Sequence, residues 1–181
     1  MKDKKYESRI IEGLIDAEGR PLLQDGYGLV GNFSEGCIFA FDNQSGLGYF
    51  YDKSGKKAIS QTYVNASDFS GGYAAVSFLS GEYGVIDHTG KIIRQLNEEE
   101  FNNFLYCKEG LVIVNNGEWD VNFSGSDKLR YGLKDIYGNI MLPVAFRSVA
   151  WSSEGLIGIE VDGQWGFIEN PLPEAARGFD T

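Results

Sequence analysis

The sequence predicts an all-β fold built from about five degenerate repeats of roughly 35 residues, each contributing short antiparallel strands. Two glycine landmarks recur at this period, and the segments between them are short apolar runs rich in β-branched and aromatic residues. The chain also holds 24 glycines but only 4 prolines, which indicates many tight turns. A parallel α/β architecture is excluded because no segment offers the crossover helices that it requires.

The first landmark is a glycine followed within four residues by an acidic residue. It occurs at Gly13, Gly48, Gly84, Gly132 and Gly166, with spacings of 35, 36, 48 and 34 residues. In the first four copies the acidic residue opens an Asp-x-x-Gly segment, and Asp at the first position with Gly at the fourth suits a type I turn. Each copy is therefore expected to turn at the same point.

The second landmark is a Glu-Gly or Gly-Gly step that opens an apolar strand. Its second glycine is Gly36, Gly72, Gly110 or Gly155, with spacings of 36, 38 and 45 residues. Both landmarks have nearly the same period, and both are stretched in the same place. Two independent markers that agree in this way indicate a true repeat.

The clearest unit is the segment from Ser153 to Glu169, which is typical of a β-hairpin. Asp162 and Gly163 form a turn able to take positive φ between two apolar runs. Each copy offers about three such short strands and cannot bury both of its faces alone. We expect neighbouring copies to stack, either as an open solenoid or as a propeller-like array.

Two segments depart from the period. The first follows Leu96, where Asn97 as N-cap and Glu100 at the third helical position predict a short helical insertion through Leu105. The second is the insertion of residues 115–130, about ten residues longer than its counterparts, and insertions in repeat proteins gather on one face. We expect one domain over residues 1–170, followed by a C-terminal tail over residues 171–181.

Composition limits the classes of partner. The formal net charge of −10 disfavours nucleic acid, because phosphate binding needs a basic face. An acidic surface favours a basic protein partner, although such a charge also simply maintains solubility. The absence of a long apolar segment and of a signal-peptide pattern predicts a cytoplasmic protein that does not bind membranes.

Several of these segments resemble the WG-repeat (KWG-repeat) family, bacterial β-rich repeats typified by Asn-Gly-Lys-Trp-Gly-Tyr-Ile-Asp, a Gly-Lys turn and a closing Phe-Ser-Glu-Gly-Leu-Ala-Val. The segments that carry the resemblance are Gly163-Gln164-Trp165-Gly166-Phe167-Ile168, Gly81-Glu82-Tyr83-Gly84-Val85-Ile86-Asp87 and Phe33-Ser34-Glu35-Gly36. The Trp position is Glu12, Leu47, Tyr83 or Tyr131 in the other copies. The resemblance implies a role in protein interaction, since the family carries no general enzymatic activity.

No catalytic or metal-binding arrangement stands out in the sequence. His88, the one histidine, lies in a repeat turn where other copies hold unrelated residues, so we expect a solvent-exposed side chain without a function. The Asp turns lack the ligand ladder of a calcium loop. Trp165 and the tyrosines at its position are expected to pack over a neighbouring glycine as core. We therefore expect no enzyme, no cofactor and no metal.

The leading hypothesis is a non-enzymatic protein-binding β-repeat module that contacts a basic partner through its repeat surface and the 115–130 insertion. The insertion residues expected to bind the partner are Glu118, Trp119, Asp120, Phe123 and Asp127. One alternative is a cytoplasmic immunity-type inhibitor of a bacterial toxin, which charge complementarity would serve. The others are a carbohydrate-binding protein and a self-associating scaffold.

Overall fold

The computed structural model describes residue 15 and residues 18–23, 27–117, 129–151 and 155–177. In these residues, 13 strands form four small antiparallel sheets, so the all-β class is confirmed. Sheet 1 contains β1 (Tyr27–Ser34), β2 (Cys37–Asp42) and β3 (Leu47–Asp52). Sheet 2 contains β4 (Asn65–Ala66), β5 (Tyr73–Ser77), β6 (Tyr83–Asp87) and β7 (Ile92–Leu96).

Sheet 3 contains β8 (Leu111–Asn115), β9 (Tyr131–Asp135) and β10 (Ile140–Phe146). Sheet 4 contains β11 (Ser148–Trp151), β12 (Leu156–Val161) and β13 (Gln164–Glu169). Within each sheet, strands that follow one another in sequence are hydrogen-bonded neighbours. One α-helix, α1 (Glu98–Phe104), joins sheet 2 to sheet 3, and a 3₁₀ turn (Glu174–Ala176) follows sheet 4.

Consecutive sheets share apolar clusters, because alternate residues of a strand point to opposite faces. In β5, Ala74 and Val76 lie in a cluster with side chains of sheet 1, whereas Ala75 lies in the next cluster with side chains of sheet 3. A third cluster joins Leu111 and Leu133 of sheet 3 to Ile157 and Val149 of sheet 4. We call these the first, second and third inter-sheet clusters.

The far side of sheet 1 is also buried. Ile38, Ala40 and Tyr51 are at most 5% exposed and form an outer cluster with the partly buried Leu23 and Tyr49. Sheet 1 therefore buries both faces, as sheets 2 and 3 do.

The helix begins as its sequence predicts. The Asn97 side chain accepts a hydrogen bond from the backbone N–H of Glu100, and the Glu100 carboxylate accepts one from the backbone N–H of Asn97, which completes a capping box. Phe101 and Phe104 point into the second inter-sheet cluster beside Leu96. Among the described residues, no helix is long and apolar enough to cross a membrane.

The Asp turns repeat with nearly the same geometry. Asp52 and Asp87 each accept backbone hydrogen bonds from the residues two and four positions later, and each accepts a hydroxyl hydrogen bond from the side chain two positions later. Asp135 accepts the corresponding backbone bonds from Tyr137 and Asn139. These bonds lower the pKa of Asp52 and of Asp87, the hydroxyl bonds from Ser54 and Thr89 contributing most.

Candidate functional site

The partner-binding residues expected from the sequence, Glu118, Trp119, Asp120, Phe123 and Asp127, lie outside the described residues. The described ends of this insertion meet each other. Asn116 N–H donates to the carbonyl of Arg130 at 3.1 Å, and Arg130 N–H donates to the Asn116 side-chain oxygen at 3.1 Å. The 115–130 segment thus leaves and re-enters sheet 3 between β8 and β9, at one place.

Three of the four Glu-Gly and Gly-Gly steps lie wholly in the described residues, and each is a two-residue hairpin turn with positive φ at both central residues. Glu35 and Gly36 have φ values of 47° and 84°, and Gly71 and Gly72 have values of 66° and 86°. Glu109–Gly110 and Asp162–Gly163 share this geometry. It is the type I′ turn, whose twist matches that of the strands it joins. The second landmark therefore marks a hairpin turn as well as the start of a strand.

Hydrogen bonds connect these turns from one sheet to the next. The Glu35 carboxylate accepts from Gly72 N–H at 2.9 Å, and the Glu109 carboxylate accepts from Gly155 N–H at 3.3 Å. The turn between them has glycine in place of glutamate, and there the hydroxyl of Ser70 accepts from Gly110 N–H at 3.2 Å. We call this series of contacts the turn row.

The C-terminal segment packs on the turn row. A Cβ atom built on Gly71 would lie 2.7 Å from the carbonyl oxygen of Ala176, and one built on Gly110 would lie 2.6 Å from the same oxygen. The Arg177 guanidinium donates to the carbonyls of Leu172 and Asn170. Glycine is required at these two turn positions both for positive φ and for this close approach.

His88 joins the first turn to sheet 2. Its Nε2 lies 3.0 Å from the Glu35 carboxylate, its Nδ1 lies 3.7 Å from the Cys37 sulfur, and its ring stacks on Phe69 with centroids 4.0 Å apart. The expectation of a solvent-exposed side chain is confirmed, and His88 also makes these three contacts. The contact between Glu35 and His88 could not be predicted from the sequence, because the two residues are 53 positions apart.

A thiol, an imidazole and a carboxylate in this order are the groups of a cysteine nucleophile site. The environment opposes that chemistry here. Burial, followed by the charges of Glu35 and Asp52, raises the pKa of Cys37 to about 11, and the residue is only 5% exposed. The thiol thus stays protonated at neutral pH, and the three groups act as a contact between sheets 1 and 2.

Metal binding has no support in the described part of the chain, where no group of three or more His, Cys, Asp or Glu side chains could hold an ion.

Cys107 is half-buried beside the turn row, and desolvation raises its pKa to about 12. Both described cysteines are free thiols.

A cleft of about 1040 Å³ runs beside the turn row. Ser34, Ser70 and Lys108, which line it, each directly precede one of the I′ turns. The rest of the lining brings together aromatic and charged side chains from several sheets and from the C-terminal segment, namely Asn32, Phe33, Asp68, Phe69, Tyr106, Cys107, Glu109, Trp151, Glu174 and Arg177. The cleft is thus a composite surface that no single repeat could form.

Two aromatic side chains stand open to solvent in the cleft. Tyr106 is 74% exposed and Phe33 is 42% exposed. Exposed aromatics bordered by charged groups are typical of surfaces that bind other molecules. This cleft is the candidate functional site that the described residues provide, and sequence analysis missed it because its walls come from distant segments.

The residue at the Trp position of the repeat is packed differently in different copies. Tyr83 packs on Phe101 with ring centroids 4.9 Å apart, and Tyr131 is partly buried in the third inter-sheet cluster, as expected for core residues. Trp165 packs over Gly158 but remains 55% exposed, so the expectation of a core role is wrong for this copy. The reason is that no described sheet follows sheet 4.

Comparison with known proteins matches residues 50–78 to the family model described as WG containing repeat. These residues run from β3 through β5 and thus cross the first inter-sheet cluster. No curated protein and no solved structure matches the chain. The match supports the resemblance of these residues to the WG-repeat family.

Proposed function

We propose that this chain is a non-enzymatic protein-binding β-repeat module. The observation that carries the proposal is the composite cleft beside the turn row, where exposed Phe33 and Tyr106 lie among charged side chains from several repeats. Its volume of about 1040 Å³ and open aromatic walls suit a projecting part of another protein. The buried, protonated thiol of Cys37 supports a role without covalent chemistry.

The partner in this proposal is basic. The chain carries a net charge of −10, and such a charge raises the association rate with a protein of opposite sign. The 115–130 insertion is proposed as an additional specificity element because it leaves sheet 3 at one place, between Asn116 and Arg130.

The proposal includes a stacked repeat architecture. Each described sheet is followed by the next through a shared apolar cluster, and the turn row connects successive hairpins in the same order. Both features support the stacking of about five repeats of roughly 35 residues in a solenoid or a propeller-like array. In either form, the cleft remains a surface made by neighbouring repeats.

A pull-down with the tagged full chain from a lysate of the source organism tests this function. We expect one stoichiometric basic protein, with an association rate that falls at least about tenfold between 50 mM and 500 mM salt. The variant Phe33→Ser/Tyr106→Ser should lose it, whereas Leu79→Ser, which removes a side chain 77% exposed outside the cleft, should retain it. Failure to retain any stoichiometric protein would refute the proposal.

Carbohydrate binding is a second candidate function, favoured by the exposed ring of Trp165 beside the exposed Phe167. A glycan array probed with the full chain distinguishes carbohydrate binding from protein binding. Hits that disappear in Trp165→Ser would establish carbohydrate binding, and an array without hits would remove it.

A further inference from the structure

Sheet 4 has one face that no other described sheet covers. Ile157 and Ile159 point into the third inter-sheet cluster, so the alternate residues of β12 and their paired residues in β13 point the other way. Register pairs Gly158 with Phe167 and Glu160 with Trp165. We call this outward surface the terminal face, defined by Gly158, Glu160, Trp165, Phe167 and Glu169.

The terminal face is apolar at its centre and open. Phe167 is 68% exposed and Trp165 is 55% exposed. The glycine of the repeat motif also has different surroundings in the last copy, although Gly166 pairs with Ile159 and so points to the opposite face of β13. A Cβ atom built on Gly48 or Gly132 would lie within 2.7 Å of a neighbouring atom, whereas one built on Gly166 meets nothing within 4 Å. The motif thus keeps its sequence in the last copy without the packing that it has elsewhere.

The edge of sheet 4 is open as well. In sheets 2 and 3, the strands β6 and β9 occupy the position of β13, and each pairs on its far side with a further strand, β7 or β10. In the described part of the chain no strand pairs with the far side of β13. An edge strand of six residues offers backbone groups to an incoming strand.

The composition of the terminal face favours a basic occupant over a second molecule of this chain. Pairing two terminal faces about a two-fold axis would bring Glu160 and Glu169 of both molecules into one interface, where like charges repel. Head-to-tail stacking would need the far face of sheet 1, and that face is closed, with Ala40 fully buried. A partner that carries Lys or Arg beside apolar side chains would pair with the carboxylates of the terminal face and pack on its aromatic rings.

We propose that the terminal face and the edge of β13 dock an extended segment of a partner protein in which apolar residues alternate with Lys or Arg. The inference rests on the proposed function in that it places a protein partner at a second, separate surface. Sheet 2 provides an example of such a segment, because β7, with the sequence IIRQL, pairs with the edge of β6 that corresponds to the open edge of β13. Arg94 of β7 donates to Glu100 and to the carbonyl of Ile136 in the next sheet.

The test uses a fluorescent peptide with the sequence of residues 89–97, TGKIIRQLN, titrated with the full chain and followed by anisotropy. We expect saturable binding that Trp165→Ser/Phe167→Ser weakens at least about tenfold, because aromatic anchors dominate such contacts. Leu79→Ser, a control at a 77% exposed side chain in the turn between β5 and β6, should bind as wild type does. Glu160→Lys/Glu169→Lys should also weaken binding, and the peptide TGEIIEQLN should not bind.

Four results would overturn the inference. They are absence of peptide binding to wild type, equal affinity in the Trp165→Ser/Phe167→Ser variant, a dimer in sedimentation equilibrium that this variant abolishes, and protection of Trp165 from hydroxyl-radical labelling in the isolated monomer. The third would identify a second molecule as the occupant, and the fourth a segment of the same chain. If this variant still retains the lysate partner but loses the peptide, the terminal face binds a different protein from the cleft. If wild type retains a partner and does not bind the peptide, the proposed function stands and the terminal-face inference fails.

Discussion

The carboxylate of Glu35 accepts a hydrogen bond of 2.9 Å from the backbone N–H of Gly72, and so ties the turn of sheet 1 to the turn of sheet 2. Glu35 holds φ at 47°, a conformation that costs a residue with a Cβ about 1–2 kcal/mol. A glycine would avoid that cost but would lose the carboxylate. The contact between sheets explains why a strained glutamate occupies this turn.

Removal of this carboxylate should destabilise the fold. We expect Glu35→Ala to lower the free energy of unfolding by about 1.5–3 kcal/mol, because a charge-assisted hydrogen bond is lost while the strained φ is kept. Glu35→Gly should be about 1 kcal/mol more stable than Glu35→Ala, because glycine adopts positive φ without strain. Urea unfolding followed by circular dichroism measures both, with the exposed Glu18→Ala as a control near zero. Equal stability of Glu35→Ala and wild type would contradict this.

Acid should act on the Asp turns. The pKa of Asp87 is lowered in the folded chain, first by the Thr89 hydroxyl, so the unfolded chain takes up this proton at a higher pH than the folded chain does. The stabilisation by Asp87 is therefore complete above about pH 4 and is lost as the pH falls below that value. Asp87→Asn cannot titrate, so its stability should fall less steeply than that of wild type between about pH 4 and pH 2.

Urea midpoints at several pH values from 7 to 2 would measure this difference. The pKa of Asp52 is lowered in the same way by Ser54, so Asp52→Asn should give the same change in slope. A gap between wild type and Asp87→Asn that stays constant at every pH would mean that the Asp87 carboxylate does not stabilise the turn as a charge.

The thiol of Cys37 should be unreactive at neutral pH. With a pKa of about 11, roughly one molecule in 10⁴ carries the thiolate at pH 7, about two orders of magnitude fewer than for an ordinary cysteine. Iodoacetamide labelling, read by peptide mapping, should be at least about 100-fold slower than in urea-unfolded protein. Fast labelling at pH 7 that His88→Ala removes would instead identify an activated nucleophile.

Two glycines of the same motif should respond differently to alanine. A Cβ atom at Gly132 would lie 2.6 Å from the carbonyl oxygen of Leu142, whereas one at Gly166 meets nothing within 4 Å. We expect Gly132→Ala to cost about 1–3 kcal/mol through overpacking and Gly166→Ala to change stability by less than about 0.5 kcal/mol. Thermal unfolding of the pair provides the measurement. An equal loss of stability in both variants would show that the strand backbone itself requires this glycine, whatever packs beside it.

Local patterns were sufficient to predict the local elements. The capping box of Asn97 and Glu100 lies within four residues, and the helix begins there as predicted. The turns at Asp52, Asp87 and Asp135 also depend on residues within four positions, and each forms the bond between the first carbonyl and the fourth N–H. Periodic glycines predicted the all-β class because each marks a place where the backbone needs freedom from a Cβ.

Contacts between distant segments were beyond the sequence pattern. Glu35 meets Gly72 and His88, which lie 37 and 53 positions later, and nothing in the local sequence selects those partners. The cleft depends in the same way on segments that are far apart in the sequence, and the exposure of sheet 4 depends on its being the last described sheet. Trp165 has the same motif as Tyr83, yet only the fold decides that one is exposed and the other packs against a helix.

The alternation of side chains in β5 limits how such a chain can evolve. Ala74 and Val76 serve one cluster and Ala75 serves the next, so the insertion of a single residue in this strand would exchange the contents of two cores at once. Substitutions can accumulate on either face, but changes in length are tolerated only where the chain leaves a sheet. The stretched spacing of 48 residues coincides with the helix α1, which lies between strands, and with the insertion that begins at Asn115, the last residue of β8. Chains related to this one should therefore differ mainly in the lengths of the segments between strands and should keep the same number of strands.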